Sequence, residues 1–281
     1  MIKWYFILVI GIVLSACQPQ AVTSTSMPAT KTPVVIDTPV PTETATRTPL
    51  PTQPPQTPTS TEAVMRVCSP LEGETFDSLP SIIVNPMVIP AFGRDDGHHG
   101  IDFAYYRRGE RESIQGIEVY AVINGKTVQT LEDNTPYGYA ILIETPLRNL
   151  SKELREDLTA RYQPIPENVQ YQGQCPKIDP PEDTGELSLY HLYAHLEQKP
   201  DLTSGDTVPC GDLLGTVGNT GRSSNPHLHL ETRLGPSGAE FEDMGFYETI
   251  YSEEQRADYC LWRMSGYFQL FDPFILFEHG G

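Results

Sequence analysis

Six of the seven histidines in this chain fall in three short segments. The first reads Gly97-His98-His99-Gly100-Ile101-Asp102-Phe103. In an extended chain, side chains alternate faces with a period of two. His98 and Asp102 then share a face, while His99, Ile101 and Phe103 point the other way. An imidazole and a carboxylate together suit zinc, and Gly100 between them leaves room for an ion or a substrate backbone. The second segment is Leu189-Tyr190-His191-Leu192-Tyr193-Ala194-His195-Leu196. Alternation puts His191, Tyr193 and His195 on one face and Leu192, Ala194 and Leu196 on the other. In the third, Pro226-His227-Leu228-His229-Leu230-Glu231, the two histidines face one way and the leucines pack behind them. That apolar backing pre-positions both imidazoles. A lone histidine is ordinarily a surface or satisfied core residue. Three polar-faced segments in one chain point instead to a shared metal site.

The elements that must hold these segments are mostly strands. Residues 117–123 are β-branched and aromatic. Asn124-Gly125 follows as a hairpin turn, and residues 126–131 return. Residues 139–144 and 187–196 read as strands, and residues 227–233 alternate cleanly. Residues 205–218 carry short apolar runs broken by glycine, as in a tightly turned barrel or sandwich. One helix is expected, with Thr145 as cap, Pro146 in the first turn, an apolar stripe of Leu147, Leu150, Leu154 and Leu158, and Pro164 as stop. With the Pro- and Gly-rich loop after it, this helix forms an insertion over 146–186. The expected fold class is mainly β, an antiparallel sheet or sandwich with a helical insertion. The acidic stretch 240–258 suggests no element.

The N-terminus has one basic residue, Lys3, and an apolar run from Trp4 to Leu14. That run is too short to span a bilayer and suits a secretory signal. It ends Leu14-Ser15-Ala16-Cys17, which resembles a bacterial lipobox. The resemblance implies cleavage after residue 16 and acyl chains on Cys17, a membrane anchor on the extracytoplasmic side. Residues 17–62 are rich in Pro, Thr and Ser and read as a disordered tether. The remaining residues, 63–281, suit one globular domain. A net charge of −18 makes nucleic acid a poor partner, and a monomer is expected. Cys68, Cys175, Cys210 and Cys260 lack zinc-site spacing and read as two disulfides. Of the three pairings, Cys68–Cys260 with Cys175–Cys210 is favoured, because the first would close the ends of the domain.

The ordered set His98-x-x-x-Asp102, Tyr193-Ala194-His195-Leu196, Gly218-Asn219-Thr220-Gly221 and Pro226-His227-Leu228-His229-Leu230-Glu231 resembles the motifs of lysostaphin-type zinc metallopeptidases. The resemblance covers about residues 92–235. It implies the duplicated hybrid motif fold and one zinc ion bound by His98, Asp102 and His229. His195 and His227 would then be the unligated catalytic histidines, and peptide bonds of bacterial peptidoglycan the substrate. Asn225 and Leu230 stand where the family usually has Gly and often has Phe, and the insertion is longer than in compact members. Arg94, Tyr193 and Asn225 are candidate groove residues. His99 is the rival ligand, Glu231 a candidate partner to the site, His191 a surface or rim residue, and His279 solvated. Two other functions are compatible with the same residues: a catalytically silent envelope lipoprotein that binds peptidoglycan or activates another hydrolase, and a protein that captures zinc for transport.

Overall fold

The computed structural model describes residues 65–246 and 248–280. The expected signal (1–16) and the whole of the expected tether (17–62), with Cys17, lie outside the described residues. In chain order the strands are β1 (Ile83–Asn85), β2 (Ile101–Phe103), β3 (Glu118–Tyr120), β4 (Gly125–Asn134), β5 (Gly138–Pro146), β6 (Leu187–Leu196), β7 (Thr207–Val208), β8 (Leu213–Thr216), β9 (Leu228–Pro236) and β10 (Gln269–Leu270). The α-helices are α1 (Lys152–Arg161), α2 (Glu253–Arg263) and the short α3 (Phe274–Phe277).

The main sheet runs β1-β2-β9-β6-β5-β4-β7, with β10 pairing β9 beyond the end of β2. Every pair in it is antiparallel. β3 and β8 form a separate two-stranded sheet. The expectation of a mainly antiparallel β fold therefore holds.

Period-two alternation divides the core between the faces of the sheet. Ile141, Ile143, Leu189, Tyr193, Leu228, Leu230 and Leu234 pack on one side with Val119, Leu154, Leu158 and Leu276. Ala140, Leu142, Tyr190, Leu192 and Ala194 pack on the other with Phe241, Tyr259, Trp262 and Phe268. Both faces of β5, β6 and β9 are thus covered, which explains why these strands are nearly continuous in buried residues. His229 and Glu231 alternate with Leu228 and Leu230 along β9. They therefore face the second side, the one that α2 covers.

Two sequence expectations give way here. The hairpin across Asn124-Gly125 does not form: β3 pairs β8, and β4 pairs β5 and β7. Gly125 is required for close strand packing, since a Cβ there would lie 2.5 Å from Ile143 Cγ2 and 2.6 Å from the Glu144 carbonyl. The helix does not start at Thr145. Thr145 and Pro146 still pair with β6, a short 3-10 turn spans Leu147–Asn149, and α1 begins after Ser151, whose hydroxyl accepts from Leu154 N at 3.2 Å. The four leucines of the stripe are nonetheless all buried.

The disulfide pairing is also corrected. The bonds are Cys68–Cys210 and Cys175–Cys260. Cys68 N donates to the Val122 carbonyl and Gly211 N to that of Ala121. The chain next to Cys68 and the chain next to Cys210 thus dock on the same short stretch of backbone. Cys260 sits in α2 beneath the insertion and meets Cys175 there. The acidic stretch supplies α2 itself, started by a capping box of Ser252 and Gln255 with Glu253 and Glu254 in the first turn.

Candidate metal centre and active site

β2 and β9 pair so that Asp102 lies directly opposite His229, and opposite residues share a face. On the other flank of β9, Ala194 lies opposite His229. Two distant stretches of chain are therefore brought to one point by strand register. His98 joins from just before β2, where its backbone bridges to Val88.

The resulting geometry is tight. His98 Nε2 lies 3.1 Å from Asp102 Oδ1 and 3.2 Å from His229 Nδ1. His229 Nδ1 is 2.7 Å from the same carboxylate oxygen. A tetrahedral ion with bonds of about 2.0–2.1 Å spaces its ligands by about 3.3 Å, so two imidazoles and a carboxylate at these separations fit one divalent ion. Gly100 permits this packing. A Cβ at that position would lie 2.8 Å from His229 Nε2 and 2.5 Å from the Leu230 carbonyl. The glycine thus makes room for a ligand ring rather than for the ion.

Hydrogen bonds on the outer side fix which nitrogen of each ring faces inward. His98 Nδ1 donates to the Pro86 carbonyl at 3.1 Å. His195 Nδ1 donates to Thr220 O at 2.8 Å, and His227 Nδ1 to Asn225 O at 2.8 Å. All three present Nε2 to the centre. His229 is reversed: its Nε2 donates to Glu231 Oε1 at 3.1 Å and Nδ1 faces inward. The Asn85 amide donates to Asp102 Oδ2 at 3.1 Å, leaving Oδ1 as the inward oxygen. Such outer partners set ligand tautomer and orientation.

His195 reaches the site by a backbone inversion. Alternation from Tyr193 would send it into the opposite core, so the expectation that His191, Tyr193 and His195 share a face fails. Its φ of 60° turns the side chain over, at a cost of about 1–3 kcal/mol for a non-glycine residue. Bonds from His195 N to Tyr137 O, and from Gly218 N to His195 O, hold that conformation. The His195 ring then lies with its centroid 4.5 Å from that of His227 and 5.8 Å from that of His229. His227 Nε2 is 3.5 Å from Asp102 Oδ1.

Electrostatics follow burial and contact. Burial alone would raise the Asp102 pKa, but hydrogen bonds from His229 and His98 outweigh it and hold the carboxyl well below its usual range. Burial opposes charge on His229, yet its bonds to Asp102 and Glu231 lift the imidazole to about 9 in the metal-free protein. His195 is pushed down to about 3 by burial and by the neighbouring histidines.

Other expected site residues fall elsewhere. Tyr193 is no groove residue: it is buried, and its hydroxyl accepts from Val122 N at 2.7 Å. His191 is not on a rim but fully buried against Tyr193 and Thr145. His99, the rival ligand, is buried beneath the site, with Nδ1 accepting from Arg233 at 2.8 Å. Arg94 is half exposed and paired with Asp96. Asn225 is exposed and acts through its carbonyl on His227. His279 is exposed, as expected.

Sequence reasoning missed Asn85, Tyr137 and Trp262. Tyr137 donates to Glu231 Oε1 at 2.8 Å, and Trp262 Nε1 to Glu231 Oε2 at 3.0 Å. No spacing links these residues to the histidines. Only Glu231, on the His229 face of β9, signalled that a partner was needed.

Residues 171–240 match the model of peptidase family M23. The match takes in His195, His227 and His229. It agrees with the motif resemblance and supports a peptidase. His98 and Asp102 lie outside the matched residues and join them through the β2–β9 pairing. No curated protein matches the chain. Among solved structures, similar ones include a peptidase M23 from Pseudomonas aeruginosa, at 17% identity over 77% of this chain and 55% of that one, TM-score 0.31. A zinc-containing peptidase from Vibrio cholerae shares 21% identity over 60% of this chain and 34% of that one, TM-score 0.29. The catalytic domain of lysostaphin from Staphylococcus simulans shares 20% identity over 57% of this chain and 86% of that one, TM-score 0.33. The chain thus spans about half the length of the first and a third of the second.

Proposed function

We propose that this chain is a zinc-dependent endopeptidase that hydrolyses peptide bonds in bacterial peptidoglycan. Acyl chains on Cys17 would hold it at the extracytoplasmic face of a membrane. The observation that carries the reading is the convergence of His98 Nε2, Asp102 Oδ1 and His229 Nδ1, with two further imidazoles facing the same space. Three protein donors leave a fourth tetrahedral position open, the pattern of catalytic rather than structural zinc.

When bound there, zinc supplies Lewis acidity to the scissile carbonyl and to water. The chain's own residues supply the proton transfers. His227 is the more exposed of the two unligated histidines, and burial opposes charge at His195. His227 Nε2 therefore takes the proton as water adds to the carbonyl carbon, and passes it to the amine as the C–N bond breaks. Its Nδ1–H stays bound to Asn225 O throughout, which keeps the ring in register. His195, neutral and with its Nδ1–H given to Thr220 O, keeps a bare Nε2 toward the site, where it accepts a hydrogen bond from the attacking water and orients it. A silent protein would be expected to lack one of these groups; all five are present and converge.

The test is mass spectrometry of peptidoglycan digested by purified protein with and without zinc. The expected products are fragments with new amino and carboxyl ends, abolished by Asp102→Ala. Replacement of His227 by Ala should keep zinc and lower the rate by about 10²–10⁴-fold. Intact peptidoglycan after digestion, or full activity in the His227 variant, would refute the reading.

A further inference from the structure

Helix α2 lies beyond the residues that match the peptidase family, yet its last turn reaches the metal centre from below. His229 turns Nδ1 to the centre only because Nε2–H is given to Glu231. Glu231 is wholly buried, and a buried carboxylate fixes a ring only if it is itself fixed. Its Oε2 is held by Arg233 Nε at 3.0 Å and by Trp262 Nε1 at 3.0 Å. Trp262 also holds Arg233: its carbonyl accepts from Arg233 Nη1 at 2.8 Å, and the guanidinium lies 4.6 Å over its ring. The neighbouring Arg263 comes within 3.6 Å of Glu231 Oε1. The indole packs edge-on against Tyr190 and Phe241, while its N–H alone reaches Glu231. Two residues before Trp262, Cys260 is bonded to Cys175.

We propose that Trp262 is a positioning residue of the metal centre. It sets the Glu231 carboxylate, which sets the tautomer and tilt of His229, so α2 is part of the site and not only a cover for the sheet. Were Glu231 free to rotate, His229 could carry its proton on Nδ1, the atom that must be bare to bind metal. The inference rests on the reading of His98, Asp102 and His229 as ligands, and its test separates the two.

Zinc affinity of the full chain is measured by chelator competition, and the visible spectrum is recorded with cobalt(II) in place of zinc. Wild type should bind one ion, and Asp102→Ala should lose it. Trp262→Phe keeps an aromatic ring but deletes the N–H. It should weaken zinc binding roughly tenfold, the lower end for loss of an outer partner, and shift the cobalt bands. Phe241→Leu, which loosens packing on the same indole without reaching Glu231, should lower thermal stability and leave affinity within twofold of wild type. If Trp262→Phe does not fold, benzothienylalanine at 262, with sulfur for N–H in the same bicycle, is read in its place. Wild-type affinity in the Trp262 variant, or an equal loss in Phe241→Leu, overturns the proposal. Equal zinc binding by wild type and Asp102→Ala would instead overturn the metal-centre reading.

Discussion

Each imidazole at the centre has its outward nitrogen committed to an oxygen, so single atoms far from the chemistry decide which nitrogen faces in. Asn85 plays this part for Asp102. Asn85→Ala should weaken zinc binding by about tenfold with little change in melting temperature, since Asn85 is exposed; chelator competition measures it, and unchanged affinity would remove Asn85 from the site. Gly100→Ala makes the converse case, by pressing on the His229 ring. It should lower both affinity and stability. A different histidine adds to the acid limb of stability. Tyr193 OH accepts from Val122 N, so its own proton points to His191 Nδ1 at 2.9 Å. Thr145 donates to Asn124 O and offers a lone pair to His191 Nε2–H at 3.3 Å. His191 is thus satisfied only when neutral, and burial lowers its pKa to about 3. Below pH 6.5 the unfolded chain takes up a proton that the folded one refuses. Stability present above pH 6.5 is therefore lost as pH falls toward 3, by about 1.4 kcal/mol per unit at this site. His191→Gln should flatten the acid limb of the melting temperature against pH by that slope; an identical limb would contradict this.

At the scale of elements, pattern was legible where it was long and where packing agreed with it. Residues 187–196 read as a strand, and β6 spans Leu187–Leu196. The alternation of β9 gave His229 and Leu230 their opposite faces correctly. What failed was what local sequence does not encode. Asn124-Gly125 has turn chemistry, but Gly125 is needed for close approach to β5, so partner choice overrode local preference. Strict alternation misplaced His195, because a single φ of 60° breaks the period. The cysteine pairing depended on which loops dock together, and spacing carries no such information. The two disulfides now give separable predictions. Cys175→Ser with Cys260→Ala frees α2 from the insertion, and should cost about 2–4 kcal/mol and also weaken zinc binding through Trp262. Cys68→Ser with Cys210→Ala acts on the opposite face of the sheet. It should cost a similar amount and leave zinc affinity unchanged. Denaturant melts and chelator competition on both variants decide this, and equal affinity losses would deny α2 its special place.

At the scale of the whole molecule, the described residues carry a double-sided core and the convergent site. Both core clusters, both disulfides and all five convergent site residues fall between 65 and 280. Backbone contacts define one compact unit over Thr59–Gly281, and about 220 residues are ample for a single stable core. The N-terminal stretch, in contrast, has the composition of a tether. A fragment starting at residue 63 should therefore unfold in one transition, at the melting temperature of the full chain, and bind zinc equally well. If acyl chains on Cys17 supply the anchor, Cys17→Ser should move the protein from the membrane fraction to the soluble one, with melting temperature and peptidoglycan digestion unchanged. Fractionation followed by calorimetry reads both effects in one preparation. A fragment that melts several degrees lower would mean that residues before 63 pack on the domain, and the spacer role assigned to them would then be untenable.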